Sequence, residues 1–202
     1  FGVFSPLRGE YLDLIAQAPL APNIQTAFDI GTGSGVIAAI LAKRGIPAII
    51  ATDTNHKAIV CATANLERLG LDKAVSIQSI DLFPESCADL IVCNPPWLPA
   101  KPTSAIETAL YDPNHAMLTA FLNGVRKHLN PNGEVWLIIS DLAEHLHLRD
   151  KDFLNQSFQT ASLNVVDILK TKPQHKRAID ESDPLAFARN KETTYLYRLK
   201  AI

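Results

Sequence analysis

The sequence has little of several things, and each shortage excludes something. Cysteine occurs three times, at Cys61, Cys87 and Cys93, an odd number with no C-x-x-C pair. That excludes a disulfide framework or a zinc knuckle and fits reduced thiols in a cytoplasmic protein. No apolar run approaches the ~20 residues that a membrane helix needs. There is no signal peptide pattern. Excess charge of either sign is missing: 19 Lys and Arg face 21 Asp and Glu, for a net charge of -2 and a pI of about 6.3. The overall balance therefore lacks a strongly basic nucleic-acid footprint. No internal repeat or low-complexity tract occurs.

What remains is ordinary for one globular domain of 202 residues, with 47% hydrophobic and 20% charged residues. Apolar runs alternate with helical patterns. Strands are expected at 26–30, 47–52, 74–79, 89–93, 134–140, 165–170 and 194–200. Helices are expected at 34–44, 55–69, 116–129 and from Leu142 to about Phe158. This order predicts an α/β fold, a doubly wound, mostly parallel seven-stranded sheet. The last two strands read as having no helix between them, which predicts an antiparallel hairpin at one edge. Residues 94–113 carry five prolines and read as a long functional loop.

The first strand runs into Asp29-Ile30-Gly31-Thr32-Gly33-Ser34-Gly35. Glycines there allow a tight turn and close approach of a ligand to the backbone. In open α/β sheets ligands bind beyond the carboxyl ends of the strands. The loop is G-x-G-x-G with Val36 where a dinucleotide fingerprint has its third glycine, and the Gly-Lys-Ser/Thr ending of a P-loop is missing. Asp53, at the end of the second strand, suits hydrogen bonds from a ribose diol, with Thr54 beside it. Asp81 and Leu82, at the end of the third strand, suit an adenine amino group and ring. The fourth strand ends on Asn94-Pro95-Pro96-Trp97.

Together these residues resemble the class I S-adenosylmethionine-dependent methyltransferases. Asp29-Ile30-Gly31-Thr32-Gly33-Ser34-Gly35 resembles their first motif, Asp53 their ribose-binding acid and Asp81 their adenine-side acid. Asn94-Pro95-Pro96-Trp97 resembles the (Asn/Asp)-Pro-Pro-(Phe/Tyr/Trp) motif of the amino-methylating branch. The opening FGVFSP, followed by Leu12 and Leu14, resembles the "small domain" subgroup, in which such a segment folds over the cofactor. The resemblance implies a Rossmann-like fold, with an N-terminal segment at 1–22 and a catalytic domain at 23–202, expected to belong to a longer chain. It implies S-adenosylmethionine as cofactor, held by Asp29, Gly31, Thr32, Gly33, Gly35, Asp53, Thr54, Asp81, Leu82 and Asn94, and no metal. Trp97 departs from the commoner Phe or Tyr, and Leu98 stands where the guanine enzymes tend to carry His.

The chemistry expected of the tetrapeptide follows from its residue types. An exocyclic amine or a carboxamide nitrogen is a poor nucleophile, because its lone pair is delocalised. The Asn94 side-chain carbonyl can accept one N–H and the Pro95 backbone carbonyl the other. Pro95 and Pro96 have fixed φ and no competing N–H. Trp97 can stack on a planar target, worth ~1–3 kcal/mol for a base. The expected partner is a nucleic-acid base, RNA before DNA, with a protein glutamine as the alternative. A nicotinamide dehydrogenase and a non-catalytic binding module are the other classes weighed.

Weaker candidates complete the reading. Asp112 or Asn114 is expected to cap the helix that follows. His115 is a minor candidate for substrate contact, and Phe1, Phe4 and Ser5 for closure over the cofactor. Asp141, Glu144, His145 and His147 read as a solvated helix rather than a metal site. Lys170, Lys172, His175, Lys176 and Arg177 form the one basic cluster.

Overall fold

The computed structural model describes residues 10–99, 111–172 and 186–202. Phe1, Phe4, Ser5, His175, Lys176 and Arg177 lie outside the described residues.

Seven strands form one sheet in the order β3-β2-β1-β4-β5-β7-β6. These are β1 (Thr26–Ile30), β2 (Ala48–Thr52), β3 (Val75–Gln78), β4 (Ala88–Cys93), β5 (Leu129–Ser140), β6 (Leu163–Thr171) and β7 (Thr194–Ala201). The first five are parallel, and β7 runs antiparallel between β5 and β6. The predicted edge hairpin is therefore present.

The strands alternate between two cores, as a sheet covered on both faces requires. Ala27, Leu90, Val92, Trp136 and Ile138 face α1 (Glu10–Gln17), α2 (Val36–Lys43) and α3 (His56–Arg68), among Ile15, Leu41 and Leu66. Phe28, Ile30, Ile91, Cys93, Val135 and Leu137 face α4 (Ala116–Val125) and α6 (Phe153–Thr160), among Phe121 and Phe158. Arg44, just past α2, donates to the carbonyls of Ile15 and Ala18 and so ties down the end of α1. Its guanidinium also lies over the Trp136 ring, 5.7 Å from the centroid.

Three expectations need correction. The single helix from Leu142 is broken into α5 (Leu142–His145) and α6. His147 turns to φ +57 between them, and the buried Arg149 folds back onto Glu144 at 2.7 Å and onto the Ser140 carbonyl. The helix expected over 116–129 stops at Val125 and gives way to a tighter 3-10 turn over Arg126–His128. β5 begins at Leu129 rather than at 134, so Asn130–Gly133 lies within the strand; a register shift between Ala88 and Leu90 of β4 absorbs the extra residues. A short helix, α7 (Ala186–Arg189), also precedes β7.

Register sets the site. Ile30 pairs with Thr52 on one side and with Cys93 on the other. Gly31, Asp53 and Asn94 therefore leave their strands at one level, at the carboxyl edge of the sheet.

Candidate active site

Asp29 is the last polar side chain inside β1, and it is fully buried. One oxygen accepts from Thr32 Oγ1 at 2.6 Å and from the Ala38 amide at 3.0 Å. The other oxygen, Oδ1, has no hydrogen-bond partner. Burial pushes its carboxyl up to about 6, against the pull of Thr32 and Ala38 and with a push from Asp53. A buried acceptor without a donor costs ~1–3 kcal/mol, so the site favours a ligand that brings one.

The glycine loop follows. Gly31 takes φ +70, and a Cβ there would stand 2.8 Å from Met117 Cε. Gly33 takes φ +57 with nothing within 4 Å of where its Cβ would be, so its backbone faces open space. The Thr32 amide donates to the Thr52 carbonyl at 2.8 Å. Asp53 closes the loop from the next strand: Oδ2 accepts from the Gly33 amide at 2.9 Å, and Oδ1 from the Asn55 amide at 2.8 Å.

The remaining expected cofactor contacts are more peripheral. Thr54 and Asp81 are exposed. β3 ends at Gln78, so Asp81 stands in the loop beyond the strand rather than at its end. Leu82, half-buried at φ +53, accepts from Thr52 Oγ1 at 2.7 Å through its carbonyl, which holds that loop over the β2 end.

Asn94 and Trp97 come together. The Trp97 indole Nε1 donates to Asn94 Oδ1 at 3.0 Å. Pro95 is buried, Pro96 and Trp97 are half-buried, and Trp97 packs against both cores. Beneath them, burial holds the Cys93 thiol well above its ordinary range, helped by Asp29 and Asp112. Cys93 is thus a packed thiol, not a nucleophile.

Sequence reasoning missed Tyr11. It sits on α1 with its ring edge-on to Trp97, at 6.1 Å between centroids and 80° between planes. Burial first, then the Asp29 charge, pushes its hydroxyl up to about 12, with Asn94 opposing. The only sequence signal was its place in the segment expected over the cofactor.

Asp112 caps α4 as expected, accepting from the Met117 and Leu118 amides at 2.8 and 3.0 Å. His115 is buried with its ring 4.5 Å from that of Phe153. Burial and then Arg149 lower its pKa, with Asp112 opposing, so it is a neutral packed ring. His145 meets Asp141 at 3.5 Å, and among the described residues no group of three or more His, Cys, Asp or Glu gathers to hold a metal ion. Among them, too, no helix is long and apolar enough to cross a membrane.

Known proteins resemble this chain in sequence and in fold. Residues 12–168 match the family model described as methyltransferase small domain. The release factor glutamine methyltransferase of Cereibacter sphaeroides is 34% identical over 140 residues, 62% of this chain and 50% of that protein. The tRNA1(Val) (adenine(37)-N6)-methyltransferase of Cytophaga hutchinsonii is 34% identical over 134 residues, 62% of this chain and 56% of that protein. The chain thus spans about half the length of the curated relatives it matches. A SAM-dependent methyltransferase from Thiobacillus denitrificans, solved with S-adenosyl-L-homocysteine, superposes with a TM-score of 0.65 over 100% of this chain and 94% of that one, at 17% identity. A family match over most of the chain, on a sheet whose strand ends carry the glycine loop, Asp53 and Asn94 at one level, leads to one conclusion: the chain belongs to the methyltransferase small domain family.

Proposed function

We propose that this chain is the catalytic domain of an S-adenosylmethionine-dependent N-methyltransferase acting on a planar -NH2 group. One observation carries the reading. Asn94 presents a side-chain carbonyl, fixed by Trp97 at 3.0 Å, at the sheet edge shared with the glycine loop.

The residues present fit the cofactor. The unpartnered Asp29 Oδ1 suits an ammonium, and the open backbone at Gly33 suits close approach. Asp53 keeps free lone pairs for hydroxyls beyond the two amides it already holds. Thr32, Gly31, Gly35, Thr54, Asp81 and Leu82 complete the cofactor side. When bound, S-adenosylmethionine supplies an electrophilic methyl on a sulfonium. α1, with Tyr11, flanks this site and forms the described part of the N-terminal segment.

The chain's own residues orient the nucleophile. Asn94 Oδ1 and the Pro95 carbonyl accept the two target hydrogens, which draws the nitrogen lone pair out of conjugation. Pro96 stiffens the turn, and Trp97 supplies a flat surface. No strong base is required during transfer, since the proton can leave afterwards. Alignment of this kind contributes roughly 7–11 kcal/mol to barrier lowering.

A nucleic-acid base, RNA before DNA, is the first substrate class. A protein glutamine amide is the second, favoured by the relative that acts on release factor and by the net charge of -2. The deciding experiment uses tritiated S-adenosylmethionine with purified tRNA and purified release factor, each with and without ribonuclease or protease. Label in tRNA supports the base, and label in release factor supports the glutamine. Label in neither, with extract equally inert, sinks the proposal.

A further inference from the structure

An asparagine carboxamide has two ends of nearly equal size, and a half-turn exchanges an acceptor for two donors. On the reading just given, only one of these orientations is useful at position 94. A flipped Asn94 would aim N–H groups at the N–H groups of the target.

The structure assigns Trp97 as a positioning residue that locks the Asn94 carboxamide with its oxygen toward the target through the indole N–H, with the Tyr11 ring bracing the indole. This rests on the reading of Asn94 as the acceptor for the target nitrogen. The indole nitrogen is a donor only, so at 3.0 Å it demands the oxygen of Asn94 and never the amide nitrogen. A partner that can only donate leaves the amide a single satisfied orientation.

The indole is itself held. Tyr11 stands edge-on to Trp97, which fixes the indole plane. Tyr11 rides on α1, whose last carbonyls of Ile15 and Ala18 are gripped by Arg44. The indole occupies one lone pair of Oδ1 and leaves the second for a target hydrogen. A phenyl ring at position 97 could stack but could not do this. The site therefore selects targets that offer hydrogens, an amine or a carboxamide, over a carboxylate that offers none.

The test separates the N–H from the ring. Trp97 is replaced by β-(3-benzothienyl)-alanine, which exchanges the indole N–H for sulfur at nearly constant shape, and in parallel by Phe; Tyr11→Phe and Asn94→Ala complete the set. The protein has two tryptophans, and Trp136 donates instead to Glu134, so the two indole proton resonances are separable by NMR. Asn94→Ala is expected to shift the Trp97 resonance and speed its hydrogen exchange, leaving Trp136 unmoved. With the substrate identified by label transfer, the benzothienyl variant is expected to lose ~10–100-fold in kcat, the scale of a small misplacement, with KM and cofactor affinity unchanged. Tyr11→Phe keeps the ring that stands edge-on to Trp97 and is expected to cost little. A Trp97 resonance indifferent to Asn94→Ala, or wild-type kcat in the benzothienyl variant, overturns the assignment. An indole response in a protein that methylates nothing supports the locked amide and instead sinks the functional reading.

Discussion

The carboxylate of Asp53 joins two backbone amides that belong to different turns, that of Gly33 in the glycine loop and that of Asn55 at the start of α3. One acid thus shapes the loop before any cofactor arrives. Asp53→Asn keeps the size but turns one acceptor into a donor. It is expected to weaken S-adenosylhomocysteine binding ~10–100-fold, since hydrogen bonds to a charged group contribute ~1.5–3 kcal/mol. Isothermal calorimetry reads the affinity, and a thermal melt should show a much smaller loss.

Asp29 predicts a pH dependence. Its carboxyl, raised to about 6 by burial, carries a proton below that pH. The ammonium of the cofactor requires the carboxylate, so proton and cofactor compete. Affinity for S-adenosylhomocysteine is expected to be flat above pH 6 and to fall toward ~10-fold per unit below it, the slope of one linked proton. Asp29→Asn should bind weakly with no such slope. A wild-type affinity that does not change between pH 7 and pH 5 would count against the role.

Gly31 is confined twice, by φ +70 and by Met117 Cε at 2.8 Å from its virtual Cβ. Gly31→Ala is expected to lose ~1–3 kcal/mol of stability through backbone strain alone. Adding Met117→Ala removes the close contact and leaves the strain, so it should restore only part of the loss. Denaturant melts of the three proteins measure this.

Asp112 satisfies the Met117 and Leu118 amides at the start of α4. Asp112→Ala should destabilise the fold by ~1–2 kcal/mol, the cost of a lost helix cap, and Asp112→Asn by less. Chemical denaturation gives the ordering.

The sequence made the β1–β2–β4 edge readable because each strand is a short apolar run closed by a glycine, an acid or an amide. Asp29, Asp53 and Asn94 could be placed from that alone. The broken helix after Leu142 could not. Nothing in the pattern around Arg149 foretells that its guanidinium would bury itself on Glu144 and Ser140. Tyr11 was hidden for a different reason. Its partners Trp97 and Asn94 are far along the chain, and only the docking of α1 on the sheet brings them within reach. The Asn94 carbonyl was legible as an acceptor, but its engagement by the Trp97 indole depends on a side-chain geometry that no spacing encodes.

β7 lies between β5 and β6 although it follows both in the chain, and α1 packs on β6 and β7. The helix that carries Tyr11 is therefore among the first parts of this sequence to leave a ribosome, yet its seat is built from the last. Long-range closure of this kind is slow to form. A nascent chain stalled before Thr194 would own the glycine loop, Asp53 and Asn94 without the finished bed for α1. Emergence of β7 thus gates assembly of the target side of the site, and the cofactor side can be complete first.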